Sequence, residues 1–188
     1  MIHSKKEKGF TLIEVVIVTS IFTVLALALL NVFDWHNKLF NLERADTEAV
    51  GSARITMNNM ATYIAQASNI EASRTISGTA YTTDADTVVL QLPAFDSSGN
   101  LLASIYDYVV YNKSGTTLSQ ITEIGSGSSR NAGTKIMTAY VQSLSFTYDS
   151  VDLTQVTQVI VDLQTQATVR GGSVTTAHVA NTIFLRNK

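Results

Sequence analysis

Hydrophobic and polar positions divide the chain into three textures. Residues 10–33 are apolar around the whole helical circumference, with Thr11, Glu14, Thr19, Ser20 and Thr23 set into them. At the helical rise this stretch is roughly 36 Å long, enough to cross a hydrocarbon core of about 30 Å. Its hydroxyl side chains are tolerable because each can bond back to a helix carbonyl. Trp35 follows where an interfacial aromatic is expected. Residues 34–48 are mostly polar, with Leu39, Phe40 and Leu42 among them. Val50, Ala53, Met57, Met60, Ala61 and Ile64 then recur at helical spacing and form one apolar stripe. Neither Pro nor Gly interrupts residues 10–50, and the stripe runs past Gly51, the first break candidate. The pattern predicts a single helix over 10–68, roughly 90 Å long, whose last part needs a sheet to cover its apolar face.

After Asn69 the chain becomes rich in Thr, Ser, Gly, Val, Ile and Tyr. Residues 87–92 read as a strand ended by Pro93, and residues 96–100 as a turn. Residues 105–112 and 117–124 form a hairpin pattern joined at 113–116. Residues 125–133, Gly-Ser-Gly-Ser-Ser-Arg-Asn-Ala-Gly, read as a flexible loop, with either disorder or partner binding open to it. Residues 141–148 are rich in strand formers, residues 156–166 alternate cleanly, 169–174 hold a Gly-Gly turn, and 179–185 form a last strand. Short connections favour an antiparallel sheet. The expected class is α+β, with one long N-terminal helix packed on a C-terminal antiparallel sheet domain. The expected segments are a leader (1–9), a transmembrane half-helix (10–33), an amphipathic half-helix (34–68) and a β-rich head (69–188).

Composition narrows the function. Charged residues make up 15% of the 188 and hydrophobic ones 45%, as suits a chain partly in membrane. The net charge of −2 gives no basic field for nucleic acid. Lys5, Lys6 and Lys8 precede the apolar segment and set its N-terminus on the cytoplasmic side. There is no cysteine, so neither a disulfide nor a thiolate metal site is available.

Lys8-Gly9-Phe10-Thr11-Leu12-Ile13-Glu14 carries the most specific signal. A carboxylate inside an apolar span costs roughly 2.5–3.5 kcal/mol on insertion scales and calls for a partner. Gly-Phe-Thr-Leu-Ile-Glu, after a Lys-rich leader and before an apolar helix, resembles the class III signal of the type IV pilin family. The resemblance implies the pilin fold, cleavage between Gly9 and Phe10 by a membrane-bound prepilin peptidase, and methylation of the new Phe10 amine. It further implies that Glu14 pairs with the Phe10 amine of an adjacent subunit and helps set the stagger of stacked helices. The tail pattern, 141–148 then 156–163 and a closing strand ending at Leu185-Arg186-Asn187, resembles the PilW-like and J-type minor pilins or pseudopilins. The implied partners are other pilins, through the N-terminal helices, together with the peptidase and an inner-membrane assembly platform. The implied filament is a type IV pilus, a type II secretion pseudopilus or a competence pilus, entered from the inner membrane and joined near its tip. Only a competence pilus brings in nucleic acid. No cofactor, metal or enzymatic activity is expected.

Other features are weighed against this. Ala26-Leu27-Ala28 fits an ordinary secretory cleavage site that releases a domain beginning at Leu29, and a plain signal anchor is a further alternative. His3, His36 and His178 are far apart and are read as surface or packing residues. Asp84/Asp86 and Asp149/Asp152 lack the ligand density of a calcium loop and are read as turn carboxylates. Asn112-Lys-Ser114 is read as a chance sequon, and Met57/Met60 as core. Tyr81, Tyr106, Tyr108 and Tyr111 are read as sheet packing, with an exposed face for adhesion or DNA capture as the rival reading.

Overall fold

The computed structural model describes residues 9, 11–169 and 174–187. The architecture is α+β: one long N-terminal helix, α1 (Leu12–Gln66), whose later part packs on antiparallel sheets. The chain forms two compact units, Met1–Glu43 and Arg44–Lys188. In the first unit α1 is exposed on nearly all sides. In the second it buries Ala45, Ala49, Ala53, Thr56, Met57, Met60 and Ile64; of the stripe that the spacing marks, Ala53, Met57, Met60 and Ile64 are buried, and Val50 and Ala61 are half-buried. The expected bounds of 10–68 shrink at both ends. Thr11 acts as the N-cap. At the other end the Ser68 N–H donates to Gln91 O at 2.8 Å, so the chain is already in the sheet where the pattern still reads as helix.

Ten strands follow: β1 (Asn69–Glu71), β2 (Ser73–Ile76), β3 (Thr79–Thr82), β4 (Thr87–Phe95), β5 (Leu101–Ser114), β6 (Thr117–Glu123), β7 (Gly133–Thr138), β8 (Val141–Tyr148), β9 (Gln158–Thr168) and β10 (Val174–Phe184). They make a five-stranded sheet of order β1-β4-β5-β6-β7, a three-stranded sheet β10-β9-β8 and a β2-β3 ribbon, antiparallel throughout. The turn at 96–100 forms, with Asp96 accepting from the backbone of Ser98 and Asn100. The β5–β6 hairpin closes at Ser114↔Thr117 with Gly115 at φ 60°. Residues 141–148 form β8 as read, whereas β9 starts two residues later than expected and β10 five earlier. Most of the Gly-Gly turn lies outside the described residues.

Pro93 does not end β4. It still pairs with Tyr106, and the register breaks just after it, where Ala94 lies opposite residues 102–105. Proline has no N–H to give a ladder, so a bulge beside it is the compatible solution. Ser104 within that bulge sits at φ 60°.

β4 reads as a run because it is buried on both faces. Val88, Leu90 and Leu92 meet Met57, Met60 and Ile64 of α1, together with Val109, Tyr111 and Leu118. Val89 faces the other way, with Val110, Ile121 and Ile76 of the β2-β3 ribbon. Ala45, Ala49 and Ala53 let α1 approach Ala167, Val169 and Ala177 closely, and the Thr165 hydroxyl donates to Ala49 O at 2.9 Å.

Candidate processing and assembly site

Gly9 is exposed, and a Cβ built on it meets nothing within 4 Å. Among the described residues, nothing packs where a side chain at this position would lie. Phe10, Lys5, Lys6 and Lys8, also singled out by the sequence, lie outside the described residues. Two residues beyond Gly9, Thr11 and Glu14 form a capping box. The Thr11 N–H and its hydroxyl both donate to Glu14 Oε2 at 2.9 Å, and the Glu14 N–H donates to Thr11 Oγ1 at 3.3 Å. Glu14 thus satisfies orphan donors of the first turn and sits at the positive end of the helix dipole. The Thr-x-x-Glu spacing was legible in the sequence; it is the partner that reading missed.

The rest of the apolar segment behaves as its composition suggests. Thr19 donates to Val15 O at 2.9 Å, Ser20 to Val16 O at 2.7 Å and Thr23 to Thr19 O at 2.8 Å, so the helix satisfies these hydroxyls itself. The segment is long and apolar enough to cross a membrane, and its most apolar part is not buried against the other described residues. Leu12, Phe22, Leu29 and Phe33 all point outward, an apolar surface suited to lipid or to other helices. Ala26, Leu27 and Ala28 lie inside this helix.

A second constellation holds residues 125–133. Asp107 on β5 is fully buried and accepts from the Gly125 N–H and the Ser128 hydroxyl, both at 2.8 Å. Arg130 reaches the same carboxylate at 2.7 Å and also donates to Pro93 O at 2.8 Å and to Gln66 Oε1 at 3.1 Å. Of the two readings left open for this stretch, disorder does not hold: the stretch is tied to the end of α1, to β4 and to β5. The sequence hid this because neither Asp107 nor Arg130 names its partner. Gly125 is forced by the same packing. A Cβ there would clash with Ile105 Cγ2 and lie 2.8 Å from Tyr106 O, which is backbone and cannot swing away. Gly125→Ala is expected to lower stability by about 1–3 kcal/mol through overpacking, measured as a shift in the urea midpoint; an unchanged midpoint would show that the loop yields freely.

The remaining candidates settle into structural roles. Asp84 accepts from the Asp86 N–H, and Asp86 approaches Lys113 at 3.6 Å. Asp149 accepts the Thr157 hydroxyl at 2.6 Å, which holds its carboxyl below the usual range, and Asp152 caps the short turn Leu153–Gln155. The Asn112 amide donates to Thr87 Oγ1. His178 meets Asp162 at 2.9 Å on the outer face of the three-stranded sheet, and His36 lies in the exposed part of α1. Tyr111 is buried, donates to Asn59 Oδ1 at 2.6 Å and has its phenol pushed up by burial, with Tyr63 adding to the effect. Tyr108 lies under the Arg74 guanidinium, so of the four tyrosines only Tyr106 is exposed. No group of three or more His, Cys, Asp or Glu gathers at metal-binding distance among the described residues.

A capped apolar helix that opens just behind Gly9 and leads into a β-rich unit fits membrane anchoring and a pilin-type start. The comparisons agree. Residues 4–30 match the family described as the prokaryotic N-terminal methylation motif, so the chain carries a type IV pilin-like class III signal. No curated protein and no solved structure matches the chain.

Proposed function

We propose that the chain is a structural assembly subunit, a minor pilin or pseudopilin, processed by prepilin peptidase and then built into a filament of the type IV pilus class. The observation that carries this reading is the methylation motif at 4–30 laid over the start of α1. Residues 1–9 are the leader. Lys5, Lys6 and Lys8 hold it on the cytoplasmic face, and cleavage after Gly9 leaves Phe10 as a methylated N-terminus. Because a side chain at Gly9 would meet none of the described residues, its role is read as fitting an extended backbone into the peptidase. Residues 10–33 anchor the chain in the inner membrane, 34–68 continue the helix outside, and 69–188 form the head. The three-stranded sheet β8-β9-β10 corresponds to the tail pattern on which the choice of a minor subunit rests, and a place near the filament tip follows from that choice.

Cleavage exchanges a cationic leader for one amine at the membrane surface. Removing Lys5, Lys6, Lys8 and Glu7 takes the formal charge from −2 to −4, because three lysines and one glutamate leave. The test is the N-terminal mass of the membrane-purified protein from a host with its native peptidase. The expected product begins at Phe10 and carries one methyl group. A product beginning at Leu29, or a chain still starting at Met1 while another prepilin in the same cells is cut, overturns the proposal.

A further inference from the structure

Residues 118–122 of β6 break the pattern of the core. Alternation turns Leu118, Gln120 and Thr122 toward α1 and Ile121 to the opposite face. Leu118 joins Met57, Met60 and Ile64 in the core. The next two positions on that face are polar, although Gln120 is only 6% exposed and Thr122 8%. A buried polar side chain is the informative exception in a core face, because it needs a partner. The one side-chain bond here runs from Gln120 Nε2 to Thr122 Oγ1 at 3.5 Å, which is long for such a bond. Gln120 Oε1 accepts nothing from the described residues. It is not sealed either: among the described residues Thr56 Oγ1 alone is both closed off from solvent and without a partner.

The space these groups reach is a cleft of about 440 Å³. That lies within the range of roughly 300–1,000 Å³ typical of small-molecule sites. Asn59 and Tyr63 of α1 form one wall, the start of β7 another, and the stretch 129–132, fastened through Arg130, a third. The Tyr111 hydroxyl donates to Asn59 Oδ1 at 2.6 Å, which leaves the Asn59 amide hydrogens as donors with no partner among the described residues. Tyr63 stands edge-on to Tyr111, ring centroids 6.4 Å apart, and adds an aromatic surface. No Asp or Glu lines the cleft. Of its two cations, Arg130 is committed to Asp107, and Lys135 is exposed.

The unpaired groups are of both kinds. Asn59 and Thr122 have hydrogens to give, and Gln120 has an oxygen to receive one. An anion brings acceptors only, and the Gln120 oxygen repels it. A cation brings donors only, and meets no carboxylate. A hydroxyl gives and accepts at once, so neighbouring hydroxyls can satisfy all three groups, while the C–H face of a sugar ring packs on an aromatic face. We propose that this cleft is a binding site for a neutral pyranose unit of a glycan. The cleft lies wholly within the second unit and asks nothing of cleavage or filament entry, so this proposal and the proposed function can fail separately.

The test uses the full chain, purified in a detergent without a sugar headgroup, on immobilised neutral and anionic saccharides of one to four rings beside a bare surface. Binding to a subset of the neutral saccharides is expected at least ten times above the bare surface, and the same free saccharides are expected to compete for it. Gln120→Leu and Thr122→Val keep side-chain bulk nearly constant, and each is expected to lower binding at least tenfold. Their urea midpoints are expected to be unchanged or higher, because a polar pair with one long bond contributes little to the fold. Thr122→Val carries the test by itself should Gln120→Leu fold poorly. Ser119→Ala, on the opposite face of β6, is expected to bind as the parent chain does. No binding above the bare surface, a preference for the anionic saccharides, binding that survives both substitutions, or an equal loss in Ser119→Ala overturns the proposal.

Discussion

Replacing Arg130 by alanine is expected to destabilise the second unit by about 3–5 kcal/mol. The Asp107 carboxylate is 0% exposed and the Arg130 side chain 18%. With the guanidinium gone, a carboxylate remains in the interior with only the Gly125 N–H and the Ser128 hydroxyl to satisfy it. Pro93 O and Gln66 Oε1 lose a donor in the same step. Removing one partner of a buried pair is far worse than removing both, since what remains is an uncompensated charge. Asp107→Asn is therefore expected to be milder, because Arg130 is partly exposed and can turn toward water. Asp107→Leu with Arg130→Met is expected to recover much of the loss. Urea unfolding of the full chain in detergent, followed by far-ultraviolet circular dichroism, measures all three. Since a domain holds only about 5–15 kcal/mol in total, the alanine variant is expected to sit close to its unfolding transition. An Arg130→Ala loss below about 1 kcal/mol would falsify the anchored-loop account.

The same pair shows where sequence reading reaches its limit. The loop between Gly125 and Gly133 has no apolar residue beyond Ala132, so by composition it looks free. It is held instead by a contact 23 residues distant in sequence that no local pattern announces. The signals that were legible are those with a period. The 50–64 stripe and the alternation of β9 are set by burial on one face, which periodicity records directly, whereas β8 was legible from its strand formers. The β2-β3 ribbon escaped because Ser73–Thr82 is polar, although its Ser77-Gly78 turn, with φ of 49° and 84°, is a hairpin signal. Pro93 was misread as a terminator because the rule for central strands ignores the bulge that lets a proline stay in the ladder. At the N-terminus the positions of Gly9 and Glu14 were legible. The Thr11 bonds to Glu14 were not legible, because a carboxylate in an apolar span calls for a partner on another subunit, whereas the partner lies three residues away.

Those bonds sharpen what Glu14→Val is expected to do. In the single chain the carboxylate caps its own helix through Thr11, so it is not an unpaired charge waiting in lipid. Assembly as proposed adds a second claim on the same oxygens, the methylated amine of Phe10 on a neighbour, and in hydrocarbon such a pair is attracted far more strongly than in water. The valine variant removes both interactions while making the span more apolar. Cleavage is expected to proceed normally, because the cut precedes Phe10 and an isolated cap is worth only about 0.5–2 kcal/mol. Membrane insertion is expected to be unimpaired. Incorporation into filaments, measured as the ratio of sheared to cell-associated protein, is expected to fall at least tenfold. Thr11→Val supplies the control: it removes the cap and leaves the carboxylate, so it is expected to keep most of the incorporation that the glutamate variant loses. If both variants fall together, capping rather than pairing between subunits is the role of Glu14. If neither falls, the carboxylate has no part in assembly.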